Sequence, residues 1–564
     1  MRPVQTLLLA VAASALAAGT ARADAKPHPV FSDNMVLQQG GEIVVWGKAD
    51  PNERVSVSLE GKTAGGASAS AAGTQADKDG NWRVKFGKQA AGTGYAMTVE
   101  GAKNKVEFKN VAVGEVWVCS GQSNMQWEFW RNNLGEQSKT VPAGAKNDNI
   151  RLMTLKRVTA TTPQYDFPVS TEAREGTKGP DAPKVHYGKW LPCEPDAVQE
   201  FSAVAYYFAR DLEKALKVPV GVIANSWGGM PAESYTSLEA LDAEPSLKYL
   251  ADRARATAKA FAEYDAAKAT EAYEKALVAY EAAFAKWKDE AAKAKADGKP
   301  EPKQPSKPGK PGPTAPAANP STPTVLYNSM VYPLLNFPVK GAIWYQGESN
   351  ASRAYEYRTL YPAMIKDWRA RWKSELPFVG VQLAPFRGNQ GSAGVDYAEL
   401  RDAQLFATKA LPKVGVAVIT DAGHETDIHP PQKEAVGSRL ALNARALAYG
   451  EKISYTGPTL KDAKYASGTA TLTFENTGGE LVAKGGDAVG FTVAGKDGKF
   501  HPAKAAIKGD TVTLTSDMVP EPTAVRFGWV NFANPTLNLF GKDGLPATPF
   551  RTDDAPLTTM PPKK

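Results

Sequence analysis

The apolar positions of this chain change their period twice. Between Pro29 and about Val113 they fall in short alternating runs, at residues 43–46, 54–59, 82–86, 95–100 and 105–108, punctuated by Gly, Asn and Asp. That spacing predicts an antiparallel β unit. Continuous apolar runs at 116–119, 220–224, 340–344 and 414–419 then alternate with helical periodicity at 203–215, 357–372 and 435–448. Strand followed by helix, repeated, implies a parallel sheet covered by helices. Short alternating runs return after about Lys452, at 470–474, 490–494, 511–515 and 524–530, and predict a second β-rich unit.

One stretch, 245–324, interrupts the strand and helix alternation. In its first part, rich in Ala, Lys and Glu, residues Tyr273, Leu277, Tyr280, Phe284 and Trp287 follow a 4,3,4,3 spacing that lays them along one stripe of a helix. The stripe reads as packing surface before it reads as a sugar-stacking face. From Gly298 onward a Pro recurs every two to four residues with Lys and Gly between, the composition of an extended, solvated linker. The expected plan is a leader at 1–23, an N-terminal β-rich domain at 24–110, an α/β domain at 111–450 carrying the insert 245–324, and a C-terminal β-rich domain at 451–564.

The leader is read from Arg2, an apolar run at 7–18 and the small-x-small ending Ala21-Arg22-Ala23. This is the pattern of a secretory signal cleaved after Ala23, which places the mature protein in the periplasm or outside the cell. The run is well short of the roughly 20 residues that span a bilayer, and no later segment is long and apolar enough to do so. In an oxidising compartment the two cysteines, Cys119 and Cys193, either pair or remain buried thiols.

Composition mainly excludes. The 564 residues are 43% hydrophobic and 23% charged, which allows several domains and a large core. The formal charge of +7 belongs largely to Arg2 and Arg22 of the leader and to 251–310, where thirteen Lys and Arg face ten Asp and Glu. The remainder is nearly neutral and bears no nucleic-acid footprint. Two cysteines rule out a disulfide-rich scaffold and a four-cysteine zinc site.

The candidate chemistry gathers at strand ends. The run 116–119 passes into Ser120-Gly121-Gln122-Ser123-Asn124. Ligands of parallel sheets sit just beyond the carboxyl ends of the strands, where a Ser can present its hydroxyl while its amide points into the same pocket. On local sequence Ser123 reads equally as a nucleophile and as a helix N-cap. A nucleophilic Ser needs a base. Of five histidines, His28 is near the mature N-terminus, His186 in a polar loop and His501 in the C-terminal unit, whereas His424 and His429 directly follow the run 414–419. Prolines stiffen the loop at His429, and Asp421, Glu425 and Asp427 are near enough to orient an imidazole. A metal site made of these residues is the competing reading, although an i,i+5 histidine pair in a loop matches no strong ligand spacing. Two more strand ends lead to Asn225-Ser-Trp-Gly-Gly-Met230 and Tyr345-Gln-Gly-Glu-Ser-Asn350. Gly228 and Gly229 permit close backbone approach to a substrate, and Gln346 or Asn350 offers a side-chain N–H. Each also reads as a tight turn with a satisfied loop amide.

Taken in order, Gly-Glu-Val-Trp-Val-Cys-Ser-Gly-Gln-Ser-Asn-Met from Gly114, Ser-Trp-Gly-Gly from Ser226, Trp-Tyr-Gln-Gly-Glu-Ser-Asn from Trp344 and Asp-Ile-His-Pro from Asp427 resemble the sialate O-acetylesterase-like group of SGNH hydrolases. Phe31-Ser-Asp-Asn-Met-Val-Leu-Gln and Gly544-Leu-Pro-Ala-Thr-Pro-Phe-Arg extend the likeness over nearly the whole mature chain, the insert excepted. The resemblance implies a flavodoxin-like SGNH core with a parallel sheet, carbohydrate acetylesterase chemistry, and no metal or organic cofactor. It implies Ser123 as nucleophile, His429 as base, and an oxyanion hole made of the Ser123 amide, a glycine of the Gly228-Gly229 pair and a third-block side chain. For that side chain Gln346 stands ahead of Asn350, with Gln122 as a further substrate-binding candidate. The chain departs from the general SGNH pattern twice. Gln346-Gly-Glu-Ser-Asn stands where the superfamily has Gly-x-Asn-Asp, and Thr426 occupies the position, three before His429, where an acid is usual. The acid is then Asp427 ahead of Asp421, or a Ser-His dyad is held by a backbone carbonyl.

The implied partner is an acetylated carbohydrate, either sialic acid or a plant cell-wall polysaccharide such as xylan or xyloglucan. No nucleic acid is expected. Trp127, Trp130, Trp227 and Trp344 near the motifs are candidates to stack on sugar rings. The competing functions are a non-catalytic glycan-binding protein with the β-rich units as its modules, and an esterase for longer acyl chains.

Overall fold

A computed structural model describes residues 24–63, 66–312, 315, 317–388 and 394–562, so the expected leader lies outside the described residues. Six strands run parallel through the centre: β1 (Lys105–Gly121), β2 (Asn147–Thr154), β3 (Val220–Ser226), β4 (Gly341–Tyr345), β5 (Phe378–Val381) and β6 (Val414–Ala417). They lie in the order β2-β3-β1-β4-β5-β6. The helices that bear on the site and the insert are α1 (Ser123–Gln126), α2 (Ala203–Leu216), α3 (Ala266–Ala296), α4 (Ala354–Trp372), α5 (Asp396–Ala410) and α6 (Lys433–Tyr449). Every residue of β3 and β4 is buried, as strands covered on both faces must be.

Pleating divides β1 between two cores. Trp117 and Cys119 pack with Tyr207 and Phe208 of α2 and Leu440 of α6, whereas Val116 and Val118 belong to the opposite core, with Tyr357 and Trp368 of α4. Helices α2 and α6 approach closely because residue 437 is glycine; a Cβ there would lie 2.5 Å from Tyr207 Cβ. Cys119 and Cys193 are buried free thiols in the α2 and α6 core, so of the two expectations it is the unpaired one that the structure contains.

The flanking units are β-rich. Strand β1 is 17 residues long: its first half pairs antiparallel with Gly92–Glu100 and its second half parallel with β3 and β4. One uninterrupted strand therefore crosses the expected boundary at 110 and 111. In the C-terminal unit, Thr469–Glu475, Thr511–Thr515, Phe491–Ala494 and Ala524–Phe527 contribute Leu472, Phe474, Val512, Phe491 and Phe527 to one core.

The insert departs from expectation. Helix α3 has 31 residues, about 45 Å at 1.5 Å per residue, and buries none of them completely. Tyr280, Phe284 and Trp287 stack in series at 5.5 and 5.3 Å. The Pro-rich segment is not a free linker: Trp287 Nε1 donates to Pro302 O at 2.8 Å and Tyr264 OH to Gly312 O at 2.8 Å. Pro302, Pro305, Pro308 and Pro311 are half-buried while the residues between them are exposed. Polyproline II has three residues per turn, so prolines at this spacing form one apolar edge, and that edge lies back along the aromatic stripe.

Candidate active site

The loops that follow β1, β3, β4 and β6 leave the sheet at its carboxyl edge. β1 sits where the strand order reverses, with β3 on one side and β4 on the other, the position at which open α/β sheets form a crevice. Gly121 ends β1 with φ +136°, and a Cβ there would lie 2.2 Å from Tyr345 O, so the turn admits only glycine. Gln122 N donates to Tyr345 O at 3.0 Å, and Trp227 N donates to Gly121 O at 3.1 Å. These bonds tie the three loops together. Ser123 is the first residue of α1 and not its N-cap; the N-cap is Gln122, which makes no capping bond.

The Ser123 hydroxyl instead meets His429, Oγ to Nε2, at 2.8 Å. Asp427 Oδ1 accepts from the His429 backbone N at 2.8 Å and lies 3.7 Å from Nδ1, beyond hydrogen-bond distance for the ring. Trp127 lies flat on the imidazole, centroids 3.9 Å apart and planes 19° from parallel, and the Arg131 guanidinium stands 4.6 Å from the Trp127 ring. Asn133 holds this stack, accepting from Trp127 Nε1 at 2.6 Å while its Nδ2 donates to His429 O at 2.7 Å and to Asp427 Oδ2 at 3.3 Å.

Behind the pair, Asn124 Nδ2 donates to Glu348 Oε1 at 2.6 Å and to Ile428 O at 3.0 Å, and Asn124 Oδ1 accepts from Lys433 Nζ. Burial, then the charges of Lys433 and Arg131, push the His429 pKa down to about 4 against the pull of Asp427. Burial likewise lowers the Lys433 ammonium to about 7, opposed by Glu348 and Asp427, and raises Glu348. Neutral imidazole is thus the resting form near pH 7, as a base must be.

Ser123 and His429 open onto a cleft of about 660 Å³ walled by Trp127, Trp130, Trp227 and Gly228. Its basic groups face acids: Arg131 with Glu128 at 2.8 Å, Lys156 with Glu172, and Arg157 at 3.7 Å from both Glu128 and Glu175. A Cβ on Gly228 would lie 3.2 Å from that of Ser123, and the Gly228 N–H donates to Gln126 Oε1 at 2.8 Å. Gly229 takes φ +77° in open space.

Other sequence candidates lie outside the cleft. Gln346 is fully buried; its Nε2 donates to Asn350 Oδ1 at 2.6 Å and its Oε1 accepts from Tyr357 OH at 3.0 Å. Asn350 Nδ2 donates to Glu233 Oε2 at 2.9 Å. Gln122 Oε1 accepts the amides of Gly347 and Ser349 at 3.4 and 3.3 Å, bracing the third block against the first. Asp421 forms a two-point pair with Arg439, at 2.6 and 2.7 Å, and does not reach His429. Trp344 is core, 0% exposed, and unavailable to a sugar. His424 Nδ1 accepts the Asp427 amide at 2.9 Å, and among the described residues no group of three His, Cys, Asp or Glu is arranged to hold a metal ion.

Residues 318–445, which carry the third block and His429, match the family model described as carbohydrate esterase, sialic acid-specific acetylesterase. The crystal structure of a carbohydrate acetylesterase from Xanthomonas citri is similar over 94% of this chain and all of that one, with a TM-score of 0.73 and 33% identity. This chain belongs to the sialate O-acetylesterase-like family of carbohydrate esterases. Relatives named sialate O-acetylesterase from Pongo abelii and Homo sapiens are 28% and 27% identical over 463 residues, covering 76% of this chain and 72% of each relative. In this member of the family, Asn124, Asn133 and Lys433 hold the site together without having stood out in the sequence. Asn124 lay inside the first motif with no mark beyond its adjacency to Ser123. Asn133 and Lys433 carried no local signal at all.

Proposed function

We propose that the protein is a serine esterase that removes O-acetyl groups from carbohydrates through an acetyl-enzyme on Ser123, built on an SGNH-type core. The observation that carries this reading is the 2.8 Å contact between Ser123 Oγ and His429 Nε2 at the floor of an aromatic-walled cleft, at the carboxyl edge of a parallel sheet. His429 takes the Ser123 proton as Oγ attacks the acetyl carbonyl. The proton then passes to the departing sugar oxygen, and water, deprotonated by His429 in turn, frees acetate and restores Ser123. Asp427 Oδ1, 3.7 Å from Nδ1, faces the imidazolium that forms when Nε2 takes the serine proton, and fixes the ring through the His429 backbone amide.

The oxyanion takes the Ser123 N–H, which as the first amide of α1 has no intrahelical acceptor, and the Gly228 N–H, where it replaces Gln126 Oε1. Gln346 and Asn350 act from behind, since their amides are already engaged with each other, Tyr357 and Glu233. Trp227 offers a face for a sugar ring, whereas the Trp130 ring already carries the guanidiniums of Arg131 and Arg174, at 4.5 and 5.1 Å. The paired charges around the cleft favour an uncharged acetylated glycan, of the plant cell-wall kind, over a sugar bearing a free carboxylate. The secretory pattern at 1–23 supports action outside the cytoplasm, where such polymers are met. The domain plan of N-terminal β unit, esterase core with insert, and C-terminal β unit is proposed with it.

The test is acetate release from acetylated xylan, xyloglucan and O-acetylated sialic acid, with wild type and Ser123→Ala. The variant is expected to fold and to release none. Undiminished turnover in a folded Ser123→Ala protein would overturn the reading, and exclusive release from sialic acid would overturn the substrate preference.

A further inference from the structure

The carboxamide of Asn124 joins three of the loops at the sheet edge. Its two Nδ2 bonds reach Glu348, just past β4, and Ile428, which immediately precedes His429; its Oδ1 is held by Lys433, the first residue of α6. Lys433 is 0% exposed and lies 5.8 Å from the ring centres of both Trp127 and Tyr345. A buried ammonium is costly unless a carboxylate meets it. Here it takes a neutral amide oxygen, while the Glu348 carboxylate behind the same amide keeps Oε2 without a hydrogen-bond partner. Glu348 is partly exposed as a residue, but that oxygen is not. An apolar side chain would serve stability better at position 433, so the cation calls for another explanation.

The charged groups around His429 are few. Lys433 and Asp427 come from its own loop and the helix that follows, Arg131 stands across the Trp127 ring, and Glu348 lies behind Asn124. Lys433 and Arg131 oppose a proton on the imidazole, and Asp427 favours one.

We propose that Lys433 is a positioning residue with an electrostatic part: through Asn124 and Ile428 it sets His429 against Ser123, and its charge keeps the imidazole free to take the serine proton. The inference rests on the acetyl-enzyme reading of Ser123 and His429. Its direction agrees with the low His429 pKa, and Lys433, at about 7, stays charged throughout the acid range where that group titrates.

The experiment follows acetate release from 4-nitrophenyl acetate between pH 3.5 and 8 in wild type, Lys433→Met and Lys433→Gln, with Ser123→Ala as the blank. The acid limb of kcat/KM in wild type is expected near pH 4. In both Lys433 variants it moves up measurably, while burial, the larger cause, still holds it below the ordinary histidine range. Lys433→Gln can still donate to Asn124 Oδ1, so it recovers rate on the neutral plateau relative to Lys433→Met while its limb stays raised. A limb that does not move in folded Lys433→Gln overturns the proposal, whether or not Lys433→Met folds. Ser123→Ala turning over like wild type would instead sink the acetyl-enzyme reading, whatever the limb does.

Discussion

Trp127 illustrates how a residue adjacent to a motif acquires its role from tertiary contacts. As a tryptophan beside the proposed nucleophile it is a natural platform for a sugar, yet its face is already occupied by the imidazole of His429, and its Nε1 is spent on Asn133. Asn133 in turn holds His429 O, so one amide fixes both the ring that backs the base and the loop that carries it. Misplacing a base by an ångström costs about 10²-fold in rate. Asn133→Ala should therefore lower kcat on the order of 10–100-fold while leaving KM for a small acetyl ester nearly unchanged; steady-state kinetics on 4-nitrophenyl acetate decide it. A tenfold rise in KM at constant kcat would mean that Asn133 serves substrate binding instead. Ser123 and His429 stood out together in the sequence because the proposed chemistry demands particular residue types at strand ends, and the structure brings them within 2.8 Å of each other. Asn133 and Lys433 did not stand out, because each acts on a partner roughly three hundred residues away in sequence, and no local spacing encodes that.

At the scale of elements, β3, β4 and β6 were legible as continuous apolar runs, with ends within two residues, whereas β1 was read only from 116, its 105–108 part being taken as a separate strand, and β2 was not read. The strand Gly66–Gln75 was not, since Gly-Ala-Ser-Ala-Ser-Ala-Ala-Gly-Thr-Gln alternates only Ala with Ser, has no large apolar residue, and is strand by virtue of pairing with Arg54–Thr63. Strand β5 and helix α5 also went unread: four apolar residues are too short to tell strand from buried turn, and α5 mixes buried charges, Glu399 and Arg401, into its core face. The nucleophile turn depends on a single backbone position. Gly121→Ala would place a Cβ 2.2 Å from Tyr345 O and force alanine to hold the φ of +136° that the glycine takes. We expect it to cost about 2 kcal/mol or more in unfolding free energy and to depress kcat beyond what the loss of stability explains, as read by thermal melts and kinetics at a temperature where the variant is fully folded. The insert behaves in the opposite way. Because α3 sends no side chain into either core, replacing 266–316 by a short Gly/Ser linker should leave the melting temperature and the turnover of a small ester unchanged. A drop of several degrees would reveal that the arm supports the core.

At the scale of the whole molecule, buried polar groups fasten the β-rich units to the esterase core. Arg401 of α5, fully buried, donates to Leu383 O, Val530 O and Asn531 O at 2.7–2.8 Å, and Glu399 accepts the amides and hydroxyls of Thr558 and Thr559, so the end of the chain returns to the catalytic sheet. At the other end the fastening is His28. Its Nδ1 accepts the Val30 N–H at 3.1 Å and its Nε2 donates to Tyr165 O at 3.0 Å, an arrangement only the neutral ring can make, since a proton on Nδ1 would displace Val30. Burial lowers its pKa from 6.5 to about 4. The unfolded chain therefore binds a proton in that window that the folded chain refuses, and stability from this group is fully present above about pH 6.5 and lost as pH falls toward 4. At about 1.4 kcal/mol per pH unit the loss is roughly 3 kcal/mol at most. His28→Asn, which keeps an acceptor for Val30 but cannot titrate, should be less stable than wild type at pH 7.5 and should close most of that gap by pH 4. Urea unfolding of the two proteins at both pH values measures the difference directly, with every other titrating group common to both. A gap that stays constant with pH would mean that His28 holds the N-terminal unit by packing alone.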